Sequence, residues 1–386
     1  MHFDETITVE TRQNGMELLG KNKQELRQFC AALGAPAYRG DQLFHALYAE
    51  RKLDIAAMTN LPATLRQRFS TSARVTLPIV KHKYASSDGS VRYLFGLPAR
   101  AEQSHMKNAS VEAVFMPSEG RQTICISTQA GCAVDCQFCL TAQLGLIRNL
   151  TPGEIVAQVL LPLIEIGGVK AANEKAAGSE ESLAARTNVV LMGQGEPLLN
   201  FENVFGALRI LLDGEGMGLS PKHVTLSTSG VIPGIDRMAK EAVRPKLAIS
   251  LNASNDEQRD RLMPLNKKYP LKDLIVACRR YPLRNWEHIT FEYVMLGGVN
   301  DAPEDARRVV KLLAPVKRVK VNLIPWNPGD LPFEESRAER IEAFRKILVE
   351  RGVPAFVRYS RGRDVMAACG QLALQEIQRS PLVLLP

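Results

Sequence analysis

The sequence predicts an α/β fold: a parallel sheet covered by helices, with a small basic helical unit before it and a C-terminal extension after it. From residue 123 onward, apolar strand-like segments alternate six times with helical segments. Such βα repeats place parallel strands side by side and helices over the sheet. The six units are fewer than the eight of a closed barrel. A partial barrel and an open doubly wound sheet both fit this pattern.

The composition excludes several classes of protein. The chain has 386 residues, 45% of them hydrophobic, and no run approaches the ~20 apolar residues of a membrane span. The first ten residues, MHFDETITVE, lack the basic-then-apolar pattern of a signal peptide, so we expect a cytoplasmic protein without membrane contact. Seven cysteines are too few for a disulfide scaffold in a chain this long. We therefore expect cysteines kept for metal or redox chemistry.

The positive charge is concentrated near the N-terminus. The net charge is +8, and residues 21–107 carry fourteen Lys/Arg against six Asp/Glu, which leaves the rest of the chain neutral. A basic segment beside a neutral body indicates an appended polyanion-binding module or a solvated surface without a partner. Charge alone leaves both open. In the first case, Arg39, Lys52, Arg66 and Arg68 are candidates for phosphate contacts, and binding should weaken steeply with salt.

The N-terminal part contains three predicted helices followed by three predicted strands. The helices are 22–34, ended by Gly34; 41–50, with Asp41 as N-cap; and 59–69, with Pro62 in its first turn. The strands are 77–84, 91–97 and 111–116, the first two separated by the turn residues SSDGS. We expect a helical accessory domain over 1–75 and a β-rich extension to the core over 76–117.

The six βα units follow, and we expect them to form the core domain, 118–353. The predicted strands are 123–127, 188–192, 223–227, 246–251, 289–296 and 318–324. The helices between them include 152–166, 202–213, 232–241, 270–281 and 301–314. A last helix, 334–351, leads to a strand at 355–359 inside a C-terminal extension, 354–386. Residues 169–187 are small and polar, so we expect a surface insertion without a catalytic role.

Three cysteines follow the first core strand at the spacing C-x-x-x-C-x-x-C: Cys132, Cys136 and Cys139. Three thiolates on one short loop can point at one centre, and thiolates favour zinc or iron–sulfur clusters. A closed zinc site needs a fourth ligand, and the sequence offers no second pair nearby. Three ligands leave one iron of a 4Fe-4S cluster open. A structural zinc or unligated cysteines remain the alternative.

This motif, with an aromatic residue before its last cysteine, resembles the signature of radical S-adenosylmethionine (SAM) enzymes, whose core is a partial (β/α)6 barrel. The wider sequence resembles the RlmN/Cfr group of RNA methyltransferases from about residue 24 to residue 376. Six segments carry this resemblance in order: STQAGCAVDCQFCLTAQLGLIRNLTPGEI, MGQGEPLLN, VTLSTSG, SLNASND, NLIPWNP and RGRDVMAACGQL.

The resemblance implies a 4Fe-4S cluster held by Cys132, Cys136 and Cys139, with the fourth iron open to SAM. It also implies that the cysteine matching Cys369 accepts a methyl group and that Cys125 forms a transient disulfide with it. Such exchange needs a reactive thiolate and a close partner thiol.

Other positions acquire roles in the same way. Glu112 matches the proposed general base. Cys30 and Cys278 lie in helical patterns and are expected to be packing residues.

The resemblance also assigns a set of cofactor-binding residues to the ends of the core strands, where barrel sites are built. The set comprises Gly195, Glu196, Ser227, Ser250, Leu251, Asn252 and Asn327. Glu196 matches the residue that binds the SAM amino group. Two positions depart from the family pattern: Gln194 stands where Met is usual, and Asn252 where His is frequent.

The implied activity is methylation of carbon-2 of an adenine in 23S rRNA, and of an adenine beside the anticodon in tRNA, with two SAM per turnover. The expected rRNA is protein-poor or partly assembled, the reductant is of the flavodoxin type, and the protein is a monomer. Domain 1–75 is the expected RNA-binding part. The target nucleotide must leave its stack to reach a buried cluster. The alternatives are a Cfr-type enzyme methylating carbon-8 and a noncatalytic iron–sulfur RNA-binding protein.

Overall fold

A computed structural model of the protein describes residues 15–98, 109–174 and 187–372. The strands are β1 Met16–Glu17, β2 Ala73–Arg74, β3 Ile79–Ala85, β4 Val91–Gly96, β5 Ser110–Ser118, β6 Arg121–Cys125, β7 Gln129–Gly131, β8 Leu146–Asn149, β9 Thr187–Leu191, β10 Val224–Thr228, β11 Lys246–Ser250, β12 Ile289–Met295, β13 Val319–Pro325 and β14 Ala355–Val357. The helices are α1 Lys23–Ala32, α2 Tyr38–Tyr48, α3 Ala63–Ser72, α4 Leu140–Gln143, α5 Pro152–Glu174, α6 Phe201–Leu211, α7 Ile232–Met238, α8 Asp256–Leu262, α9 Leu271–Arg280, α10 Pro303–Leu313 and α11 Ala338–Glu350.

One ten-stranded sheet organises the molecule, in the order β14-β13-β12-β11-β10-β9-β6-β5-β4-β3. The six predicted core strands, β6 and β9 to β13, are neighbours in sequence order and pair in parallel. A doubly wound sheet reverses its strand order at a switch point, and this series does not. Since β14 and β3 end the sheet without pairing to each other, the barrel is partial, as predicted.

The sheet extends beyond the barrel strands on both sides. On one side β14 pairs with β13 in parallel as a seventh strand. On the other side β5, β4 and β3 form an antiparallel meander that joins the sheet through β5 and β6. The predicted β-rich extension is therefore continuous with the barrel sheet.

The two faces of the core strands differ in polarity. Residues such as Leu226, Leu247 and Phe291 are fully buried against the helices. Side chains alternate along a strand, so their neighbours face the concave side of the partial barrel. Those neighbours include Ser227 and Glu292, and this polar concave face positions the candidate site.

The N-terminal helices pack onto the barrel and share its main hydrophobic cluster. Helix α1 begins at a capping box formed by Asn22 and Glu25. Helix α2 begins at Tyr38, so the predicted N-cap Asp41 is wrong. Asp41 lies in the first turn, where a carboxylate favours the helix dipole, and it pairs with Arg27 of α1.

Other predictions needed correction at the level of local structure. Helix α5 continues to Glu174, so the first residues of the predicted insertion 169–187 are helical, and 175–186 lie outside the described residues. The short elements α4, α8, β7 and β8 had no predicted counterpart. No helix in the described parts of the chain is long and apolar enough to cross a membrane.

Candidate active site

One pocket at the carboxyl ends of the barrel strands gathers most of the predicted site residues. Its lining contains the following predicted residues: Cys132, Cys136, Cys139, Gly195, Glu196, Ser227, Ser250, Asn252, Asn327 and Cys369. These residues come from six segments spread over more than half of the chain. Parallel strands bring their carboxyl ends to the same edge, which explains why such distant segments meet. Leu251, Cys125 and Glu112 are not among the lining residues.

The cysteine loop is held in place by hydrogen bonds to three other segments. The ribbon of β7 and β8 forms its base, and the Cys132 N–H donates to the Gly145 carbonyl at 2.9 Å. The Gln137 N–H donates to the Leu262 carbonyl at the end of α8 at 3.0 Å. The Trp326 indole N–H donates to the Phe138 carbonyl at 3.2 Å. These contacts fix the loop before any cofactor binds.

The three loop thiols influence one another's pKa values. Burial raises the pKa of Cys136 well above its usual value, and the charges of Cys139 and Cys132 raise it further. Burial likewise raises the pKa of Cys132 to about 12. Deprotonating all three therefore requires a compensating positive charge, which a metal cluster supplies.

The donor set fits such a cluster. Three cysteines are the usual iron–sulfur ligands, and all of them line a single pocket. In the described parts of the chain, no three His, Cys, Asp or Glu side chains meet with the geometry of a single-ion site.

Gly195 and Glu196 form the turn after β9. Gly195 has φ of 97°, and a Cβ there would lie 2.5 Å from the Gln129 Cβ, so a larger residue would collide. The buried Glu196 carboxylate accepts 2.7 Å hydrogen bonds from the N–H and hydroxyl of Ser229 and a 2.8 Å bond from the Thr228 hydroxyl. Burial raises its pKa, and the Ser229 and Thr228 bonds oppose that rise.

A second carboxylate in the pocket wall was not predicted. Glu292, on β12, is 9% exposed and accepts a 2.7 Å hydrogen bond from the Ser227 hydroxyl. The Ser250 hydroxyl lies 3.4 Å from that of Ser227. Burial raises the pKa of Glu292. A Glu at an inward position of the strand ITFEYVML was a signal that could have identified it.

Arg259 is the other site residue that sequence reasoning missed. It is fully buried and donates to the carbonyls of Ser229 at 2.6 Å and Leu251 at 3.1 Å. It thereby joins the ends of β10 and β11. Burial lowers its pKa to about 10, while its charge lowers the pKa of Cys136. Nothing in the surrounding NDEQRDRL indicated this role, because burial is decided by tertiary packing.

Asn252 and Leu251 form hydrogen bonds that join the end of β11 to β12. Asn252 has φ of 56°, in the left-handed region. Its side-chain carbonyl oxygen accepts a 2.9 Å hydrogen bond from the Val294 N–H. Its amide nitrogen contacts the Met263 sulfur at 3.4 Å. Leu251 is fully buried, and its N–H donates to the Glu292 carbonyl at 2.9 Å. Asn252 thus lines the pocket with its amide already engaged, while Leu251 packs behind the wall.

The C-terminal segment carries Cys369 into the pocket and is anchored there by hydrogen bonds. The Leu140 N–H, at the start of α4, donates to the Gly370 carbonyl at 2.8 Å. The Thr141 hydroxyl donates to the Leu372 carbonyl at 2.6 Å, and the Asn327 amide donates to the Cys369 carbonyl at 3.1 Å. Asn327 therefore positions the Cys369 backbone. The residues of the predicted C-terminal extension beyond 372 lie outside the described part.

The two predicted redox cysteines have different surroundings, because Cys369 lines the pocket and Cys125 does not. Cys369 is exposed to solvent inside the concave pocket, and the protein atoms around it raise its pKa to about 12. Cys125 is buried among Val114, Ala367 and Leu372. Burial raises the pKa of Cys125, and the charge of Cys369 raises it further.

Glu112 lies behind the pocket on β5, which is an inner strand of the sheet. Its carboxylate is fully buried and forms an ion pair with the fully buried Arg92. The Gln194 amide lies 3.3 Å from that carboxylate and 3.4 Å from the Leu372 carbonyl. Gln194 therefore bridges the Glu112–Arg92 pair and the segment that carries Cys369.

Comparisons with known proteins agree with this arrangement. Residues 16–75 match the family described as "Ribosomal RNA large subunit methyltransferase N-terminal domain", and residues 176–313 match the radical SAM superfamily. A protein of Koribacter versatilis named "Probable dual-specificity RNA methyltransferase RlmN" is 46% identical, over 89% of this chain and 98% of its own.

Further similarities cover nearly the whole chain. The dual-specificity RNA methyltransferase RlmN of Azorhizobium caulinodans is 44% identical over 92% of this chain and 88% of its own. The crystal structure of a radical SAM methyltransferase from Sphaerobacter thermophilus superposes with a TM-score of 0.82 at 42% identity, covering 92% of this chain and 99% of that one.

Proposed function

The chain belongs to the RlmN family of dual-specificity RNA methyltransferases, and on that premise we propose that it methylates carbon-2 of an adenine in 23S rRNA and in tRNA. The family implies a 4Fe-4S cluster and SAM as cofactors. The observation that carries the proposal is the meeting of three loop cysteines, Glu196 and Cys369 around one pocket.

Each cofactor has a defined set of candidate partners. Cys132, Cys136 and Cys139 would hold the cluster. Glu196 would accept the SAM ammonium group, because a buried carboxylate with a raised pKa gains most from a cationic partner. All four of its usual acceptor sites are in use, so the ammonium would replace one hydroxyl donor. When bound, the cluster and SAM supply a 5′-deoxyadenosyl radical and the methyl group.

The two redox cysteines would carry the methyl group and release the product. Adenine carbon-2 is electron-poor and does not attack a methyl electrophile, so the methyl group must reach it as a carbon radical. Cys369, accessible in the pocket, would hold that group as a thioether. The Cys125 thiolate would then attack the Cys369 sulfur, forming the S–S bond as the bond between that sulfur and the methylene carbon breaks. The electron pair of the broken bond would stay with the methylene carbon, which takes up a proton and becomes the methyl group. Cys125 packs against Ala367 and Leu372, which lie on either side of Cys369 in the chain, and this packing supports the step.

Glu112 would accept the proton from the adduct carbon. An ionised carboxylate is the form that accepts a proton, and the ion pair with Arg92 favours that form. Because Glu112 lies behind the pocket wall, the Gln194 bridge is its connection to the Cys369 segment. Two further assignments belong to this proposal: residues 1–75 as the accessory RNA-binding domain and a flavodoxin-type protein as the reductant.

Anaerobic turnover with methyl-labelled SAM tests the proposal. The reconstituted protein is incubated with 23S rRNA fragments and with tRNA, and the RNA is digested and analysed by mass spectrometry against 2-methyl and 8-methyl standards. We expect 2-methyladenosine from both RNAs. Only 8-methyladenosine would identify a Cfr-type enzyme instead. Unlabelled RNA with intact RNA binding would identify a noncatalytic iron–sulfur protein.

A further inference from the structure

Three cations lie at successive levels along the concave-facing positions of neighbouring barrel strands, outside the candidate active site. Lys246 begins β11, Lys320 lies near the start of β13, and Arg358 follows β14. Side chains alternate along a strand, and the next or preceding residue in each case packs into the helix-covered core. Those core residues are Leu247, Val321 and Val357.

The protein offsets the charge of these cations only in part: Glu287 acts on Lys246, and Glu292 acts on Lys320. Within the described ranges, none of them has an ion pair or a side-chain hydrogen bond. Burial lowers the pKa of Lys246, and the charges of Lys320 and Arg358 lower it further. Burial and Arg358 also lower the pKa of Lys320. The fold therefore holds like charges together at a free-energy cost, which an anionic ligand would relieve.

The nearby carboxylates do not remove this excess. Glu287 lies close enough to Lys246 to interact, but it already contacts Arg244 at 3.8 Å and Arg284 at 3.9 Å. Glu292 accepts a hydrogen bond from Ser227 on the pocket side. The burial that raises the pKa of Glu292 also makes its charged form less favourable.

An exposed aromatic ring lies on the same face. Phe356 is 51% exposed and is the register partner of Asn322 on β13. It is two residues before Arg358, so the alternation that turns Val357 to the core turns Phe356 to the concave face. The Asn322 carbonyl side-chain oxygen is buried without a hydrogen-bond partner. Cations beside an exposed ring are the combination that binds single-stranded nucleic acid.

The charges of these cations also influence the two redox cysteines through Glu292. Lys320 and Arg358 act on the charge of Glu292, and Glu292 in turn acts on Cys125 and Cys369. Glu292 therefore lies between the cations and the cysteine pair. Val357 is the register partner of Leu323, so Arg358 lies level with Ile324, which lines the pocket.

We propose that Lys246, Lys320 and Arg358 bind backbone phosphates of the single-stranded RNA segment that carries the target adenine, and that Phe356 stacks on a neighbouring base. This inference rests on the proposed RNA methyltransferase function. It assigns to the barrel interior an RNA site that is separate from the basic N-terminal domain. The chemical group that this site would bind is a phosphodiester next to an unstacked base.

The test measures RNA affinity and its salt dependence with the reconstituted holoenzyme. A fluorescent tRNA anticodon stem-loop is titrated at several salt concentrations with wild type, Arg358→Gln and the triple variant Lys246→Gln/Lys320→Gln/Arg358→Gln. We expect roughly tenfold weaker binding for the triple variant and a slope of log affinity against log salt lower by about 2, at about 0.7 for each lost phosphate contact. Phe356→Ala should weaken binding about tenfold without changing the slope.

Matched controls separate charge from structure. Arg358→Lys keeps the charge and should keep the slope, and Lys311→Gln removes an exposed cation on α10 far from the concave face. Arg358 is exposed, so Arg358→Gln should fold normally. Its RNA affinity can therefore be measured even if the triple variant folds poorly. SAM binding is measured in parallel and should be unchanged.

Two results would overturn the inference. Unchanged RNA affinity and slope in Arg358→Gln and in the triple variant would mean that the cations are merely solvated. A loss of SAM affinity with unchanged RNA affinity would mean that they hold the cofactor carboxylate. Failure of the proposed function looks different, because wild-type protein would then methylate no adenine even where it binds the RNA.

Discussion

The N-terminal helices and the concave face of the barrel both carry cations, but they hold them differently. In the N-terminal helices, Lys23 pairs with Asp213 and Arg27 pairs with Asp41. In the barrel, no described residue pairs with Lys246, Lys320 or Arg358. Lys23 and Arg27 therefore have carboxylate partners, which the three barrel cations lack among the described residues.

This difference shows what a count of charges along the chain leaves out. A cation that already binds a carboxylate must lose that partner before it binds a phosphate. Of the four N-terminal candidates, Lys52 has such a carboxylate partner in Glu50, while Arg39, Arg66 and Arg68 donate only to uncharged oxygens. We therefore expect the barrel to carry the chemistry and the close RNA contacts, with the N-terminal helices adding weaker, salt-sensitive affinity. The following predictions separate the two regions.

The largest effect is expected from the cysteine loop. Cys136→Ala removes one of three ligands, so the protein should lose the visible charge-transfer absorbance of the cluster and all RNA methylation. RNA affinity should remain within about twofold, because phosphate contacts dominate RNA binding. Iron content, absorbance and anisotropy check this. Cys278→Ala, at a buried packing position on α9, is the control and should keep the cluster.

The next effect concerns release of the product. Cys125→Ala removes the thiol that resolves the thioether adduct, so methylated RNA should not be released and the RNA should stay covalently attached through Cys369. A denaturing gel and mass mapping of the crosslinked peptide measure this. Cys30→Ala, buried in α1, is the control. Normal turnover by Cys125→Ala would show that no disulfide step is needed.

Glu196→Gln is expected to have an intermediate effect confined to the barrel. The amide keeps the shape of the side chain but loses the charge that would bind the SAM ammonium. A charged hydrogen bond contributes about 1.5–3 kcal/mol, so SAM affinity should fall roughly tenfold to a hundredfold. Isothermal titration of SAM measures this, and an unchanged affinity would contradict the assignment. RNA affinity, measured alongside, should not change.

The smallest effect is expected in the N-terminal helices. The double variant Arg66→Gln/Arg68→Gln should weaken RNA binding about threefold to tenfold, lower the salt slope by about 1 and leave the rate at saturating RNA unchanged. Single-turnover assays at high and low RNA concentration measure this split. A larger loss of RNA affinity than in the barrel triple variant would show that the N-terminal helices, and not the barrel, make the main RNA contacts.

The accuracy of the sequence predictions depended on how local each feature was. The strand boundaries of the core, and the gathering of Cys132, Cys136 and Cys139 with Glu196, follow from the apolar periodicity and from motifs within short segments. The N-cap of α2 was placed wrongly at Asp41, because an acidic residue in a first turn has the same local signature as a cap. The burial of Glu112 was not predicted, because the pairing that makes β5 an inner strand involves β4 and β6 together.

The sequence by itself determined the order of strands and helices, the cysteine motif and the family, because each depends on residues close together in the chain. The tertiary structure alone decided which charges have partners. It buries Arg259 between the ends of β10 and β11 and turns Glu292 into the pocket. Among the described residues, it leaves Lys246, Lys320 and Arg358 without an ion pair. The physical reason is that burial and charge pairing depend on neighbours brought from other strands, and the free energy of a charge changes more with those neighbours than with its own sequence.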